Sequence, residues 1–329
     1  GVPDIKSNSS IEFHLSRTIL LMNTLPRILV IGGSGFVGRH LCQHLAAHQV
    51  QITVSTRQMF REAPPAWPGV NWVHTPRLEG EALEHLIRGH DVVIHLAAIL
   101  HGSAAEFDAL HVQLPQRLAA CCAASGVRHL IHVSAIGADP DGPSMYQRSK
   151  GRGEAVLKDI ANQTGLPLTI LQPSVIFGED DQFMNTFARL LRYAPFVPLA
   201  GAQTRFQPVW VEDVAQALTL LSLAPAQGVS VYEACGPEVF TLAELVRHAG
   251  RWSGCERPVL ALPHELGKLQ ALLMECLPGK TLMSRDNVDS MRVDNVATGR
   301  WPGLQALGIH AAALEQVFKL SAATTRSPS

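Results

Sequence analysis

Tyr146 and Lys150 stand four residues apart in the run Met145-Tyr146-Gln147-Arg148-Ser149-Lys150, a spacing that puts both side chains on one face of a helix. A phenol that exchanges a proton with an alcohol or a carbonyl must ionise well below its free pKa of about 10. Lowering that value by about three units takes about 4 kcal/mol of preferential stabilisation of the phenolate, and an ammonium on the same face is one of the cations placed to supply it. Ser134 follows the apolar run His129–Val133 and would donate a hydrogen bond to the substrate oxygen on which charge develops. Taken alone, Tyr-x-x-x-Lys also suits an ordinary surface helix, with Lys150 paired to Glu154 one turn on.

A second constellation lies near the start of the chain. The apolar run Arg27–Ile31 enters Gly32-Gly33-Ser34-Gly35-Phe36-Val37-Gly38, glycines at the first, fourth and seventh positions of a strand-to-helix turn. Gly32 permits the tight turn, Gly35 lets the backbone approach a pyrophosphate, and Gly38 lets the helix pack on the sheet; Gly33 adds conformational freedom. The helix N-terminus offers N–H groups and partial positive charge to the anion. This implies a dinucleotide, held along Gly32–Gly38, whose oxidised nicotinamide would join the Lys150 ammonium as a cation placed to stabilise the phenolate. An acid at the end of the second strand would bind the ribose hydroxyl of NAD, but here the strand ends Val54-Ser55-Thr56-Arg57. Arg57 suits the extra phosphate of NADP, so NADP(H) is expected over NAD(H). The alternative is that Arg57 is a solvated surface cation and either cofactor binds.

The elements that must position these residues follow from patterning. Short β-branched runs at Ile28–Ile31, Ile52–Ser55, Val70–Val73, Asp91–Leu96, His129–Val133 and Leu168–Leu171 alternate with helical stretches at Phe36–Ala47, Glu81–Arg88, Ala104–Ala124 and Met145–Ala161. Such alternation predicts an α/β fold, a doubly wound parallel sheet of the Rossmann type. The expected organisation is a dinucleotide-binding domain over residues 25–172 and a mixed segment over 173–320 that returns to the sheet and forms a smaller, proline-punctuated substrate lobe. Residues 1–24 read as an extension outside the fold, and 321–329 as a disordered tail.

Composition excludes several classes. Of 329 residues, 47% are hydrophobic and 17% charged, and 27 Lys plus Arg against 28 Asp plus Glu leave a net charge of -1. The chain is therefore an ordered globular protein without the basic field that nucleic-acid binding needs. Six cysteines show no C-x-x-C spacing, and no apolar stretch approaches the ~20 residues of a membrane span. Reduced thiols and a cytoplasmic location follow.

The order Gly32-x-x-Gly35-x-x-Gly38, His95-Leu96-Ala97-Ala98, Ser134 and Tyr146-x-x-x-Lys150 resembles the short-chain dehydrogenase/reductase superfamily in its extended or atypical branch. Tyr146–Glu154, Gln172–Asp180, Phe206–Ala215 and Gly236–Leu242 are similar to bacterial relatives of the NAD(P)H-binding accessory subunit of respiratory complex I. The resemblance implies that Leu96, Ala97 and Ala98 line the cofactor, that Pro173 begins the loop beside the nicotinamide, and that Asp213 fixes a helix start in the second lobe. It also implies association with a membrane respiratory complex, peripheral to the inner membrane. The sequence departs from the branch pattern at Gln172, where Arg is frequent, and at His111, where Asn is frequent; an imidazole there could itself relay a proton. Pro76-Arg77-Leu78 replaces an acid near the adenine, which leaves Leu78 to contact the base by apolar packing.

The resulting expectation is an NADP(H)-dependent oxidoreductase of unknown substrate, with Tyr146 as acid/base, Lys150 as its electrostatic partner and ribose anchor, and Ser134 as oxyanion donor. A nucleotide-holding structural or assembly protein is the alternative from another class; a sugar-nucleotide epimerase or dehydratase is a third. His40, His44 and His48, one turn apart, have a spacing open to metal but read better as a solvated helical flank, so no metal is expected. The stripe Phe107, Leu110, Leu114 and Leu118 suits either a dimer face or packing on the chain's own sheet, and the oligomeric state stays open.

Overall fold

The computed structural model describes residues 25–57, 64–276 and 283–318; the expected extension 1–24 and tail 321–329 lie outside them. The first half alternates as the patterning requires. β1 (Arg27–Ile31), α1 (Phe36–Ala47), β2 (Gln51–Thr56), β3 (Val70–His74), α2 (Gly80–Ile87) and β4 (Val92–His95) come first. After them α3 (Ala104–Asp108) passes through a π-turn at Ala109–Gln113 into α4 (Leu114–Ala124), followed by β5 (His129–Val133), α5 (Met145–Thr164) and β6 (Leu168–Pro173). The second half holds β7 (Ile176–Phe177), α6 (Phe183–Tyr193), β8 (Val197–Ala200), β9 (Arg205–Phe206), β10 (Val209–Trp210), α7 (Val211–Leu223), β11 (Val229–Ala234) and β12 (Phe240–Thr241). It continues with α8 (Leu242–Ser253), β13 (Val259–Leu262), α9 (His264–Glu275) and α10 (Arg285–Ser290), and a 3-10 turn at Leu304–Leu307 follows.

Seven parallel strands form the central sheet in the order β11-β6-β5-β4-β1-β2-β3. Their near-continuous apolar runs are explained by burial on both faces. On one face Ile28, Val30, Ile52, Val54 and Ile94 pack with Leu41 and Leu45 of α1 and Val214 and Leu218 of α7. On the other, Leu29, Ile31, Val93 and Leu130 pack with Leu83 of α2, Leu114 and Leu118 of α4 and Leu157 of α5. Leu114 and Leu118 of the Phe107 stripe are thus spent on the chain's own sheet, with Leu110 against the same core, while Phe107 is buried against His111 and Tyr146. β11 and α7 join this layer from beyond residue 173. A separate core gathers Phe187, Leu191, Leu199, Leu245 and Val246, with Trp210 and Trp252 packed against it.

Chain order reverses between β1 and β4, and in open α/β sheets such a switch point opens a crevice at the carboxyl strand ends. Gly32, Leu96, Ser134 and Arg57 each follow a strand at that edge.

Candidate functional site

Backbone contacts build the opening turn. Gly32 has φ +86° and lies so close to the loop that follows β4 that a Cβ would come within 2.9 Å of Ala97 N. Gly38 rests on Gly33, where an added Cβ would meet Gly33 Cα at 2.4 Å, so helix and turn are in backbone contact. Gly35 differs. Its φ of −76° suits any residue, and the nearest neighbour of a Cβ would be Gly32 O at 3.4 Å. Packing within the chain does not require glycine there, whereas a diphosphate drawn against the first amides of α1 does. The turn therefore fits a dinucleotide. Ser34 and Gly35 are exposed and Phe36 and Val37 half-buried, as are Leu96 and Ala97, while Ala98 is exposed and Pro173 buried at the end of β6.

Arg57 is exposed just past β2, and its guanidinium has no ion-pair partner among the described residues; its carbonyl accepts from His74 Nε2 at 3.2 Å. Leu78, expected against adenine, instead belongs to the core with Leu83 and Leu86, because the segment before α2 turns its apolar side chain inward. Two hydroxyls near this end were not singled out in the sequence: Ser55 Oγ and Thr75 Oγ1 are buried without a hydrogen-bond partner. Small hydroxylated residues closing apolar strands at the ligand edge were the available signal.

On α5 the capping box of Ser144 and Gln147 starts the helix, and Tyr146 and Lys150 follow on one face. Lys150 is 1% exposed, and its ammonium donates to Val133 O at 2.9 Å. Glu154 does not pair with it by hydrogen bond, being taken by Gln172 Nε2 at 2.7 Å and Lys158 Nζ at 3.1 Å. Burial draws the Lys150 ammonium down to about 8. The Tyr146 ring meets Phe107 and His111 edge-on at 6.3 and 5.6 Å, and desolvation pushes its phenol up to about 12. The expected depression of that phenol by Lys150 is thus not seen in the chain's own residues: the ammonium is committed to the strand-end carbonyl, and the phenol ring packs against Phe107 and an imidazole.

Ser134 Oγ is buried and has no hydrogen-bond partner, as a donor reserved for a ligand oxygen would be. His111 is fixed on both sides. Ile99 N–H donates to Nε2 at 3.1 Å, so the proton sits on Nδ1, which donates to Ser149 Oγ at 2.8 Å; that hydroxyl donates to Tyr146 O at 2.9 Å. Burial, then the Lys150 charge, pull His111 down to about 3. With both nitrogens engaged it braces the helix, which corrects the expectation of an imidazole relay. The π-turn carries His111, and on the facing helix Gly153 leaves room for its carbonyl: a Cβ there would lie 2.0 Å from His111 O.

Sequence reading also missed a buried imidazole pair. His95 and His132, side by side on β4 and β5, share one hydrogen bond between Nδ1 atoms at 2.9 Å, and both Nε2 atoms lack partners. Desolvation first, and Lys150 second, keep both neutral.

One further expectation changes. His40 and His44 are not a solvated flank: each pairs at 2.5 Å with one carboxylate oxygen of Glu212 on α7. Asp213 stands in the first turn of α7 and accepts Ala312 N–H at 2.8 Å. Among the described residues no cluster of three or more His, Cys, Asp or Glu could hold a metal, and no helix is long and apolar enough to cross a membrane.

Comparisons with known proteins agree with this fold. The mitochondrial NADH dehydrogenase [ubiquinone] 1 alpha subcomplex subunit 9 of Dictyostelium discoideum is 30% identical over 223 residues, 66% of this chain and 61% of that protein, so the match spans about three fifths of the relative. A ceramide reductase of Caulobacter vibrioides is 27% identical over 72% of this chain and 73% of its own. The solved structure of MoeE5 in complex with UDP-glucose and NAD superposes with a TM-score of 0.69 at 19% identity, covering 91% of this chain and 98% of that one, which shows the same fold. Residues 28–235, from the first strand through the last strand of the sheet, match the family model itself, and on that ground the chain belongs to the NAD dependent epimerase/dehydratase family.

Proposed function

We propose that this chain is an NADP(H)-dependent reductase that interconverts a carbonyl and an alcohol. The observation that carries the reading is the convergence at one sheet edge of a glycine turn with room at Gly35, the unpartnered hydroxyl of Ser134, and Tyr146 with Lys150 on α5. The likeness to a ceramide reductase supports carbonyl reduction. When bound, the dinucleotide supplies hydride chemistry at its nicotinamide. In the reducing direction, Ser134 Oγ donates a hydrogen bond to the carbonyl oxygen and Tyr146 gives that oxygen its phenolic proton, while hydride adds to the carbon; the product is the alcohol. A phenol held protonated by burial suits proton donation. Gly32, Gly33, Ser34, Gly35, Phe36, Val37 and Gly38 would hold the diphosphate, Leu96, Ala97, Ala98 and Pro173 the neighbouring surfaces, Lys150 the ribose, and Arg57 the extra phosphate.

Titration of the purified chain with NADPH and NADH, followed by a carbonyl screen, tests the reading. NADPH should bind more tightly, and Tyr146→Phe should bind it equally well while losing carbonyl reduction. Equal turnover by Tyr146→Phe removes the phenol from the chemistry, and no affinity for either nucleotide removes the whole reading.

A second reading is favoured by one observation: the Lys150 ammonium is spent on Val133 O at 2.9 Å. In that reading the nucleotide is a structural element, and the chain assembles with a membrane respiratory complex from the cytoplasmic side, in line with its complex I subunit relatives. Tight nucleotide retention, absence of turnover and co-purification with such a complex would select it.

A further inference from the structure

Asp286 reaches across 141 and 140 residues of sequence to the first turn of α5: Met145 N–H donates to its Oδ1 at 2.6 Å and Tyr146 N–H to its Oδ2 at 3.0 Å. Ser144 Oγ accepts the Gln147 N–H at 3.1 Å, so these two side chains together satisfy three successive amides that a helix start leaves without intrahelical partners. A carboxylate at this end is also favoured by the helix dipole. Asp286 is 9% exposed, and the side-chain hydrogen bonds that fix it go to the backbone of the residue carrying the phenol and to that residue's neighbour.

The element that presents Asp286 is braced in three directions. One turn further along α10, Asp289 pairs with His264 and Lys268 of α9, each at 3.1 Å. Asn287 Nδ2 donates to Leu100 O at 3.5 Å, and Val288 is buried with Ala200 and Ala271. Adjacent residues Met145 and Arg148, with Lys268, Ser284 and Asp286, line a cleft of about 560 Å³ beside the phenol's helix. Its wall is therefore the same strut that grips the helix start.

From this geometry we infer that Asp286 is a positioning residue: through the amides of Met145 and Tyr146 it sets the first turn of α5, and with it the place of the Tyr146 phenol, from the lobe that walls the cleft. The inference rests on the catalytic reading of Tyr146 for its consequence but not for its test.

The chain has three tyrosines, so a phenolate absorbance titration of the intact protein, with Tyr146→Phe subtracted, isolates the Tyr146 phenol without any substrate. In Asp286→Ala the first turn loosens and the half-buried ring moves away from Phe107 and His111 toward solvent, so the Tyr146 transition moves down by about one pH unit or more. Asp286→Asn, which keeps an amide oxygen as acceptor, restores at least half of that shift. In parallel, with NADPH and 9,10-phenanthrenequinone as the carbonyl probe, kcat of Asp286→Ala falls about 30- to 100-fold, as displacement by an ångström would cause, while NADPH affinity stays within about twofold. Titrations of both variants that superimpose on the parent overturn the inference, whatever the turnover. Should Asp286→Ala not fold, Asp286→Asn alone decides: its transition still moves down, by less than one unit, or the inference fails. A chain that neither binds NADPH nor reduces the quinone, yet shows the titration shift, defeats the proposed function and leaves the latch standing.

Discussion

The two ends of the site are built by different means. At the start of α1 the geometry is made by backbone: Gly32 against Ala97, Gly38 against Gly33, and an open position at Gly35. At the start of α5 it is made by side chains from elsewhere, with His111 holding Ser149, Lys150 holding the end of β5, and Asp286 holding Met145 and Tyr146. A backbone cradle is written in one run of seven residues, because the absence of a Cβ is a local property. A phenol's environment is set by what arrives from far along the chain.

Substitutions can break this contrast. The largest effect is expected at the cradle, where Gly38→Ala forces a Cβ to 2.4 Å from Gly33 Cα. It should lower stability by about 3 kcal/mol or prevent folding, read by thermal melting. Gly35→Ala should melt like the parent and yet lose more than about tenfold in NADPH affinity, read by fluorescence titration; similar behaviour of the two variants would erase the distinction between packing and ligand glycines. Next in size, Arg57→Asp should weaken NADPH binding about tenfold or more while leaving NADH within about twofold. An unchanged ratio would return Arg57 to the solvated surface.

The α5 end yields a pH effect. Lys150 falls from its usual 10.5 to about 8 in the fold. Below pH 8 both folded and unfolded states carry the proton and the folded state bears the full cost of burying it. Between 8 and 10.5 the unfolded chain binds more protons, so this group makes stability rise with pH. Lys150→Met should be more stable than the parent at pH 7, on the order of 2 kcal/mol, and should flatten that rise in urea unfolding. The smallest effect is expected at Glu212, which His40 and His44 draw from 4.5 down to about 2. Its folded pKa is depressed, so its contribution is complete above about 4.5 and is lost as pH falls toward 2. Glu212→Gln should lower the melting temperature at pH 7, where the contribution is complete, change it little near pH 2, and so shrink the acid-side loss of melting temperature.

Legibility follows the same divide. Phe36–Ala47 is found as the glycine turn and the Leu41, Leu45 stripe predict, because both signals are local. β11 was not singled out, since Ser230, Tyr232 and Glu233 interrupt its apolar run. Glu233 is tolerated there because Thr298 N–H and Gly299 N–H, from far along the chain, donate to its carboxylate. Tyr146 and Lys150 were visible as a pair on one helix face, but the direction of the Lys150 ammonium depends on the Val133 carbonyl, and no spacing encodes that. Asp286 carried no local signal at all, being one acid among many in a segment that only the tertiary fold brings to α5.

The wide turn at Ala109–Gln113 holds one residue more than an α-helical path would. Deleting a single residue from it would swing position 111 by about 100° around the axis relative to α4, with Pro115 left to kink the join of α3 and α4. The imidazole would leave Ser149 and Ile99, and a different side chain would take its station behind the phenol. What stands behind Tyr146 is therefore set by a one-codon length change as much as by any substitution, and that offers an economical route by which a scaffold of this kind could exchange one chemistry for another.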